Sequence, residues 1–261
     1  MSISTDFIRT ATQCIIALFL FTIFTSCPAA AQDSVDGRSE KPVPSDAVRV
    51  PYRDLETAEK LWNAFERKYG GDWRHDDNPR TGLPQTISGC TRRYRGTPVD
   101  VARTFLEENK ALLGVAQPGY ALHYVETEES DFVFGGVKLV FQQRYQGIDV
   151  WLAEIAVIVD DDKRKRCLRI ISSVWPVEGV ATTPRLTAGA VLQTIQQQHP
   201  GESVVVTEGP RLVIVRSGAG QLAYLAFVNV VGQHERLGSP WLYVVDALTG
   251  EILEGRSLVL Q

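Results

Sequence analysis

Apolar residues recur at three- and four-residue spacing in three parts of the chain, which is typical of a helix with one apolar face. The pattern predicts helices over residues 55–69, 98–113 and 188–199. Thr97 and Thr187 stand at N-cap positions. Gly70 and Gly114 follow the last apolar residues of the first two helices and end them. Each apolar face needs a partner, so all three helices are expected to pack on other elements.

Alternating positions predict two series of strands. Residues 73–89 are typical of a strand, a turn at 78–82 and a second strand. Further strands are predicted at 121–128, 137–145, 148–160 and 165–175, and after the third helix at 203–208, 211–216, 222–231, 241–245 and 251–260. In the strand at 148–160, Trp151, Ala153 and Ile155 are expected on one face and Glu154 on the other. Short polar turns indicate hairpin neighbours, so the fold class is α+β.

Two turns share spacing and residue chemistry. Both begin with a tryptophan, continue with Asn or Asp five residues later, and end in Thr-Gly: Trp73, Asn78, Thr81 and Gly82, then Trp241, Asp246, Thr249 and Gly250. Asn and Asp open turns by accepting hydrogen bonds from backbone N–H groups ahead of them, and glycine adopts positive φ. We interpret the pair as one hairpin turn used twice, with a structural role.

The N-terminus has the pattern of an export signal. Residues 14–24 form an unbroken apolar run, and Ala29-Ala30-Ala31 is a small-residue cleavage site. This predicts a signal peptide over 1–31, a flexible linker over 32–53, no transmembrane helix in the mature chain, and a secreted or periplasmic location. The alternative is lipoprotein processing, because residues 24–27 resemble a lipobox that would anchor the chain at Cys27.

Composition and charge change this picture little. The 261 residues are 44% hydrophobic and 22% charged with a net charge of −4, which is typical of a globular protein and speaks against nucleic acid or an anionic membrane as partner. Cys90 and Cys167 remain after signal cleavage. They either form a disulfide, as an exported pair can, or are two separate small apolar side chains.

Catalytic motifs are missing from the sequence. His234-Glu235 begins a zinc-protease motif, but no second histidine follows. The acidic residues at 72–78 lack the glycine and distal glutamate of a calcium loop. There is no Gly-x-Ser-x-Gly, phosphate-binding loop or Cys-x-x-Cys. We therefore expect a non-catalytic chain without metal or cofactor. A cysteine nucleophile at Cys90 or Cys167 stays open as an alternative.

Three segments carry a family resemblance. Residues 137–151, VKLVFQQRYQGIDVW, resemble the hallmark of the fungalysin/thermolysin propeptide (FTP) domain, and residues 100–115, DVARTFLEENKALLGV, look like the helix upstream of it. Residues 241–253, WLYVVDALTGEIL, are similar to the end of the PepSY domain that follows FTP in those propeptides. The order of the segments matches, and the resemblance covers nearly all of the mature chain.

The resemblance implies two cystatin-like α+β modules, each a helix packed on a curved antiparallel sheet, over residues 54–178 and 182–261. In that family the modules fold and inhibit a metalloprotease that follows them in the chain. Here the sequence ends at Gln261, so we expect a propeptide without its protease, acting in trans on an extracytoplasmic metallopeptidase. The competing hypothesis is a cell-envelope module that binds a peptide, wall polymer or lipid.

Contact residues for such a partner are suggested by a polar stretch on an otherwise apolar strand: Gln142, Gln143, Arg144 and Tyr145. The structural interpretation of the same residues is that one glutamine satisfies backbone groups at a bend or sheet edge. Gly147 is explained by the turn that follows.

Overall fold

The computed structural model describes residues 53–117, 119–130, 136–160, 164–232 and 238–259, all within one compact unit, Val48–Gln261. The predicted signal peptide, Cys27 and the linker as far as residue 52 lie outside the described residues. No helix in the described part of the chain is long and apolar enough to cross a membrane.

Helix α1 (Leu55–Tyr69) has the predicted bounds. It begins at Asp54, whose carboxylate accepts a 2.7 Å hydrogen bond from the Thr57 backbone N–H. It ends at Gly70, which has a φ of 64° and donates its N–H to the Glu66 carbonyl. Glycine is favoured here because that φ is strained for other residues.

Helix α2 (Pro98–Glu108) begins as predicted but ends earlier. Thr97 and Asp100 exchange hydrogen bonds in a capping box, and Pro98 occupies the first turn. The predicted end at Leu113 is wrong, because the Asn109 side chain donates a 2.6 Å hydrogen bond back to the Phe105 carbonyl and residues 109–114 form turns. The apolar pattern continues past the helix because Leu112 and Leu113 are buried in those turns.

Ten strands and one more helix complete the fold of the described residues. Helix α3 (Ala188–Gln197) begins at Thr187 as predicted. The strands are β1 (Arg74–Asp77), β2 (Pro84–Ser88), β3 (Tyr120–Glu129), β4 (Val137–Tyr145), β5 (Ile148–Val159), β6 (Cys167–Ser172), β7 (Ser203–Val215), β8 (Gln221–Val231), β9 (Ser239–Asp246) and β10 (Ile252–Ser257). The predicted α+β class is confirmed.

The strands form two antiparallel meanders. β3, β4, β5 and β6 pair in chain order, and β2 and then β1 continue the sheet beyond β6. β7, β8, β9 and β10 also pair in chain order. The meanders meet where β5 pairs in parallel with β7 at Val150 and Ile214. Strand β5 therefore has strand neighbours in both meanders.

A bulge interrupts β5 beside this junction. Glu154 pairs with Gln142 and Asp149 with Arg144, so residues 150–153 of β5 lie opposite one residue of β4. Leu152 has a φ of 59°. The prediction that Trp151 and Ala153 share a face is wrong, because the bulge separates them: Ala153 is buried in the core beneath α3, whereas Trp151 packs on the other face of the β7–β10 meander.

Strand β7 replaces two predicted strands. The predicted break at Gly209-Pro210 is a pair of register shifts within one continuous strand. Gly209 has a φ of 82° and a Cβ on it would lie 2.6 Å from the Leu225 carbonyl oxygen, so the close approach of β8 requires glycine.

Each meander has its own apolar core. The first lies between helices α1 and α2 and the sheet of β1 to β6, and its largest fully buried side chains include Phe105, Phe141 and Ile155. The second lies between α3 and the β7–β10 meander, where Val191 and Ile195 of the helix are fully buried.

Arg53 links the start of helix α1 to the turns that follow helix α2. It was expected to end the flexible linker, but it is buried, and its guanidinium donates hydrogen bonds of 2.7 Å to the Leu112 carbonyl and 2.6 Å to the Ala111 carbonyl. Its backbone N–H donates to the Thr81 carbonyl at 3.2 Å. The residue before α1 therefore holds the turns after α2.

We predict that Arg53→Ala lowers the free energy of unfolding by about 2 kcal/mol, because two buried carbonyl groups lose a charged donor. Chemical denaturation followed by far-UV circular dichroism measures the change. Arg93→Ala is the matched control, since Arg93 is exposed, and should change stability by about 0.5 kcal/mol or less. Equal effects of the two substitutions would contradict the role given to Arg53.

Candidate functional site

The polar end of β4 contains the candidate contact residues, and the first of them fills the β5 bulge. The Gln142 amide nitrogen donates to the carbonyl groups of Val150 at 2.7 Å and Ala153 at 2.9 Å. Ser173 holds the other side of the bulge, where its hydroxyl donates to the Leu152 carbonyl at 2.8 Å and accepts from the Glu154 N–H at 2.9 Å. Gln142 thus satisfies carbonyl groups that the ladder cannot reach.

Gln143 points to the opposite face and is fully buried, with an exposure of 0%. Its amide nitrogen donates to the Trp175 carbonyl at 2.8 Å, and its amide oxygen accepts from the Trp175 N–H at 2.9 Å. The Gln143 amide thus bonds both backbone groups of Trp175, as the backbone of a neighbouring strand would. Because no surface of Gln143 is accessible, its side chain does not reach a partner.

Arg144 and Tyr145 lie on different sides of the same strand end. The Arg144 guanidinium is 2.6 Å from the Asp149 carboxylate, across the turn that contains Gly147 at a φ of 85°. Arg211 of β7 is 3.7 Å from the other oxygen of Asp149, so this carboxylate links the two meanders. Tyr145 is buried in the second core with its ring edge-on to Tyr120. Of the four candidates, Gln142 and Arg144 keep partly exposed side chains.

The two repeated turns have the same hydrogen bonds. Asn78 and Asp246 each accept, through the side-chain oxygen Oδ1, a bond from the backbone N–H two residues ahead, at 2.9 Å and 2.7 Å. Gly82 and Gly250 have φ values of 64° and 80° and donate to the carbonyls of Asn78 and Asp246. The threonine hydroxyl of each turn accepts from the residue two ahead, at 3.3 Å in both. The two turns thus share these three hydrogen bonds, and the Asp246 carboxylate accepts a further one from the Thr249 N–H at 2.6 Å.

Burial distinguishes the two copies. Asp246 is buried, whereas Asn78 is partly exposed. Burial alone would raise the pKa of the Asp246 carboxyl, but the side-chain amide of Gln221 and the backbone N–H groups of Thr249 and Leu248 donate to it and hold its pKa below the ordinary value. These hydrogen bonds favour the ionised carboxylate and anchor the β9–β10 turn.

The two cysteines are neighbours in the first meander and both are free thiols in this structure. Cys90 is exposed, and Cys167 is buried beside Thr91, which exchanges hydrogen bonds with the Cys167 backbone at 2.9 and 3.0 Å. Burial raises the pKa of the Cys167 thiol well above its ordinary range, which opposes formation of a thiolate there. Their pairing in an oxidising compartment stays a prediction.

A groove of about 290 Å³ lies between α2 and the first residues of β3. Its floor is apolar, with Leu106 and Phe141 buried and Leu122 partly exposed. Its rim carries Arg103 and Glu107 of α2 and Lys110 of the turn that follows the helix. The sequence shows these three at three- and four-residue spacing, but that spacing alone does not reveal that they border an edge strand.

Two of the rim charges neutralise each other. The Lys110 ammonium is 2.5 Å from the Glu107 carboxylate. Arg103 is exposed and forms no salt bridge within the part of the chain that is described, although its charge helps to lower the pKa of Asp100, after the hydrogen bonds from Thr97. The groove therefore presents one positive charge without a described salt bridge beside an apolar floor, an arrangement suited to a ligand with an apolar group and a carboxylate.

The described residues contain no group of three or more His, Cys, Asp or Glu side chains that could hold a metal ion. His234 and Glu235 lie outside those residues. Taken together, the structure is a mixed α+β protein built mostly of strands, with three helices in its described part.

Comparisons add little to this description. No known protein-family model matches the chain, and no curated protein matches it. Among solved structures, the C-terminal domain of Bacillus megaterium YpeB is similar to it at 10% sequence identity and a TM-score of 0.34, over 81% of this chain and 100% of that one. A likeness at that score carries no argument about function.

We predict that Gln143→Leu lowers the free energy of unfolding by about 3 kcal/mol, because the backbone N–H and carbonyl of buried Trp175 both lose their partner. Urea denaturation monitored by tryptophan fluorescence measures the change. Gln193→Leu on the exposed face of α3 is the control and should remain within about 0.5 kcal/mol of the wild type. A near-neutral Gln143→Leu would contradict a structural role for this side chain.

We also predict a pH-dependent effect of Asp246→Asn. Because the folded-state pKa of Asp246 is lowered, its ionisation stabilises the fold above the ordinary pKa of 3.8, and this contribution is lost as pH falls through the lower folded value. The difference in unfolding free energy between wild type and variant should be constant from about pH 7 to pH 5 and shrink below about pH 4.

Denaturation curves across that pH range check the expectation. The converse substitution Asn78→Asp introduces a carboxylate into the equivalent turn and should add a stabilising contribution with the same dependence on pH. A difference between wild type and Asp246→Asn that is independent of pH would contradict it.

Proposed function

We propose that the protein is an exported, non-catalytic interaction protein that binds an extracytoplasmic metallopeptidase in trans, as an inhibitor or a folding helper. In this proposal the chain consists of two cystatin-like modules, each a helix followed by a four-stranded meander. The order of elements supports it, because α2 precedes β3 to β6 and α3 precedes β7 to β10.

The position of exposed apolar side chains is the observation that carries the proposal. In the described residues the large apolar side chains with high exposure are Leu55, Val125, Val205, Val206, Leu253 and Val259. Apart from Leu55 and Val259, all lie on β3 or β10, which each pair with one strand among the described residues, or on the part of β7 away from its pairing with β5. Natural sheets usually protect such edges with charge, so apolar edges are typical of sites that bind another chain.

Strand β7 offers the longest run of this kind. Its only strand pairing with β5 among the described residues is at Ile214, so residues 203–208 have β8 as their one described strand partner. Val205 is 50% exposed and Val206 is 38% exposed. An extended segment of a peptidase can add to this edge through main-chain hydrogen bonds, which requires no catalytic group on this chain.

The site chemistry is consistent with a binding role. Burial of Cys167 disfavours its thiolate, and the glutamines of β4 are engaged with backbone groups. Neither feature supplies a nucleophile or a general base, which supports the non-enzymatic part of the proposal.

A second candidate function is a cell-envelope module that binds a ligand other than a peptidase, such as a peptide, wall polymer or lipid. The groove between α2 and β3 favours it, because an apolar floor beside a positive charge is the usual make-up of a ligand site.

Binding to a peptidase is tested by mixing the purified protein with thermolysin-like metallopeptidases from its source organism, measuring proteolytic activity, complex formation and the yield of refolded enzyme. We predict inhibition or a higher refolding yield. The double variant Val205→Lys/Val206→Lys should weaken the effect about tenfold or more, because lysines at an edge oppose strand addition.

Leu55→Lys is the control, since Leu55 is 83% exposed but lies on α1 and not at a sheet edge. It should behave as the wild type. The absence of inhibition, of complexes and of folding assistance for every peptidase would overturn the proposal, and equal losses in the two lysine variants would remove β7 as its surface.

A further inference from the structure

The groove beside α2 opens onto an edge strand. β3 pairs with β4 and with no other strand in the described part of the chain. Its residues Tyr120, Ala121 and Leu122 line the groove, while α2 lies over β4, β5 and β6. A chain added along the free edge of β3 would therefore place alternate side chains beside the groove, because side chains in a strand alternate between the two faces of the sheet.

The groove has the chemistry of a site for an apolar group with a carboxylate. Leu106, Leu122 and Phe141 form an apolar floor, and Arg103 stands at the rim without a salt bridge among the described residues. A guanidinium binds a carboxylate through two parallel hydrogen bonds. The volume of about 290 Å³ suits one large apolar side chain together with the terminal carboxylate.

Charge along β3 defines a direction for the added strand. The groove with Arg103 lies at the N-terminal end of β3, whereas Glu126, Glu128 and Glu129 lie toward its C-terminal end. Lys138 neutralises one of them, Glu128, at 2.7 Å. The six residue steps from Leu122 to Glu128, which include the register shift between Tyr124 and Glu126, span at most about 20 Å. A peptide running antiparallel to β3 would have its C-terminus at Arg103 and its upstream residues beside the acidic end.

We propose that this groove and the edge of β3 bind the C-terminal end of an extended peptide. The terminal carboxylate pairs with Arg103, the last, apolar side chain occupies the groove above Leu106 and Phe141, and basic residues about six positions upstream lie beside the glutamates of β3. The inference does not depend on a peptidase partner, because it specifies the chemistry of a peptide end and a different edge from β7.

A labelled peptide with the sequence KKTVTVL and a free C-terminal carboxylate provides the test, with the same peptide carrying a C-terminal amide as its matched control. Fluorescence anisotropy with the full chain should show binding of the acid that is about tenfold or more tighter than binding of the amide, since the amide loses the charged hydrogen bonds. Raising the salt concentration should weaken binding of the acid.

Substitutions locate the site. Arg103→Gln should weaken binding of the acid about tenfold and remove the preference for acid over amide. Ala121→Glu introduces a negative charge on an exposed position of the groove wall and should also abolish the preference. Arg80→Gln, in the β1–β2 turn, is the control and should bind like the wild type. Circular dichroism of each variant establishes that it is folded.

Any of four results would overturn the inference. The first three are no binding of the acid peptide at millimolar concentration, equal binding of acid and amide by the wild type, and an acid preference that survives Arg103→Gln. The fourth is displacement of the peptide by dodecanoate at far lower concentration, which would assign the groove to a fatty acid. A dimer that forms through β3 and excludes the peptide would overturn it as well. Peptide binding without any peptidase complex would support this inference and leave the proposed function unsupported.

Discussion

The fold depends on one amide group, that of Gln142, which bonds the carbonyls of Val150 and Ala153 at either side of the β5 bulge. A bulge bends its strand and increases the local twist. Here it lies between the part of β5 that pairs with β6 and the position that pairs with β7. One strand can therefore take part in both meanders, and the side chains of Gln142 and Ser173 satisfy the backbone groups that this change of partner leaves unpaired.

Other side chains form hydrogen bonds that attach the segment between the two meanders to the first meander. Gln143 bonds both backbone groups of Trp175, and the Tyr120 hydroxyl donates to the Val177 carbonyl at 2.9 Å. Gln117 donates to the Glu178 carboxylate at 3.2 Å. Tyr120 also lines the groove beside α2, so the wall of that groove is held by the same contacts that join the meanders. Binding at the groove and packing at the junction are in this way physically connected.

Local patterns in the sequence predict much of this fold and little of its junction. The bounds of α1, the capping box at Thr97 and the two matched turns each depend on residues within five positions of one another, so spacing reveals them. The bulge and the role of Arg53 depend on hydrogen bonds between side chains and backbone groups farther away along the chain, and the early end of α2 depends on a local bond from the Asn109 side chain that the apolar pattern does not show. Periodicity reports which face is buried and carries no information about such bonds. Predicting the groove requires, in addition, knowing that α2 lies over β4 to β6, which is a property of tertiary packing.

The two outer edges of the first sheet differ in a way that limits assembly. All four residues of β1 are exposed, and Asp76 and Asp77 place negative charge on a short strand, which is a common protection against further pairing. β3, at the other edge, is longer and carries exposed Val125. The first sheet can therefore accept an added strand beside β3 and is protected from pairing beside β1, so it cannot extend in both directions at once.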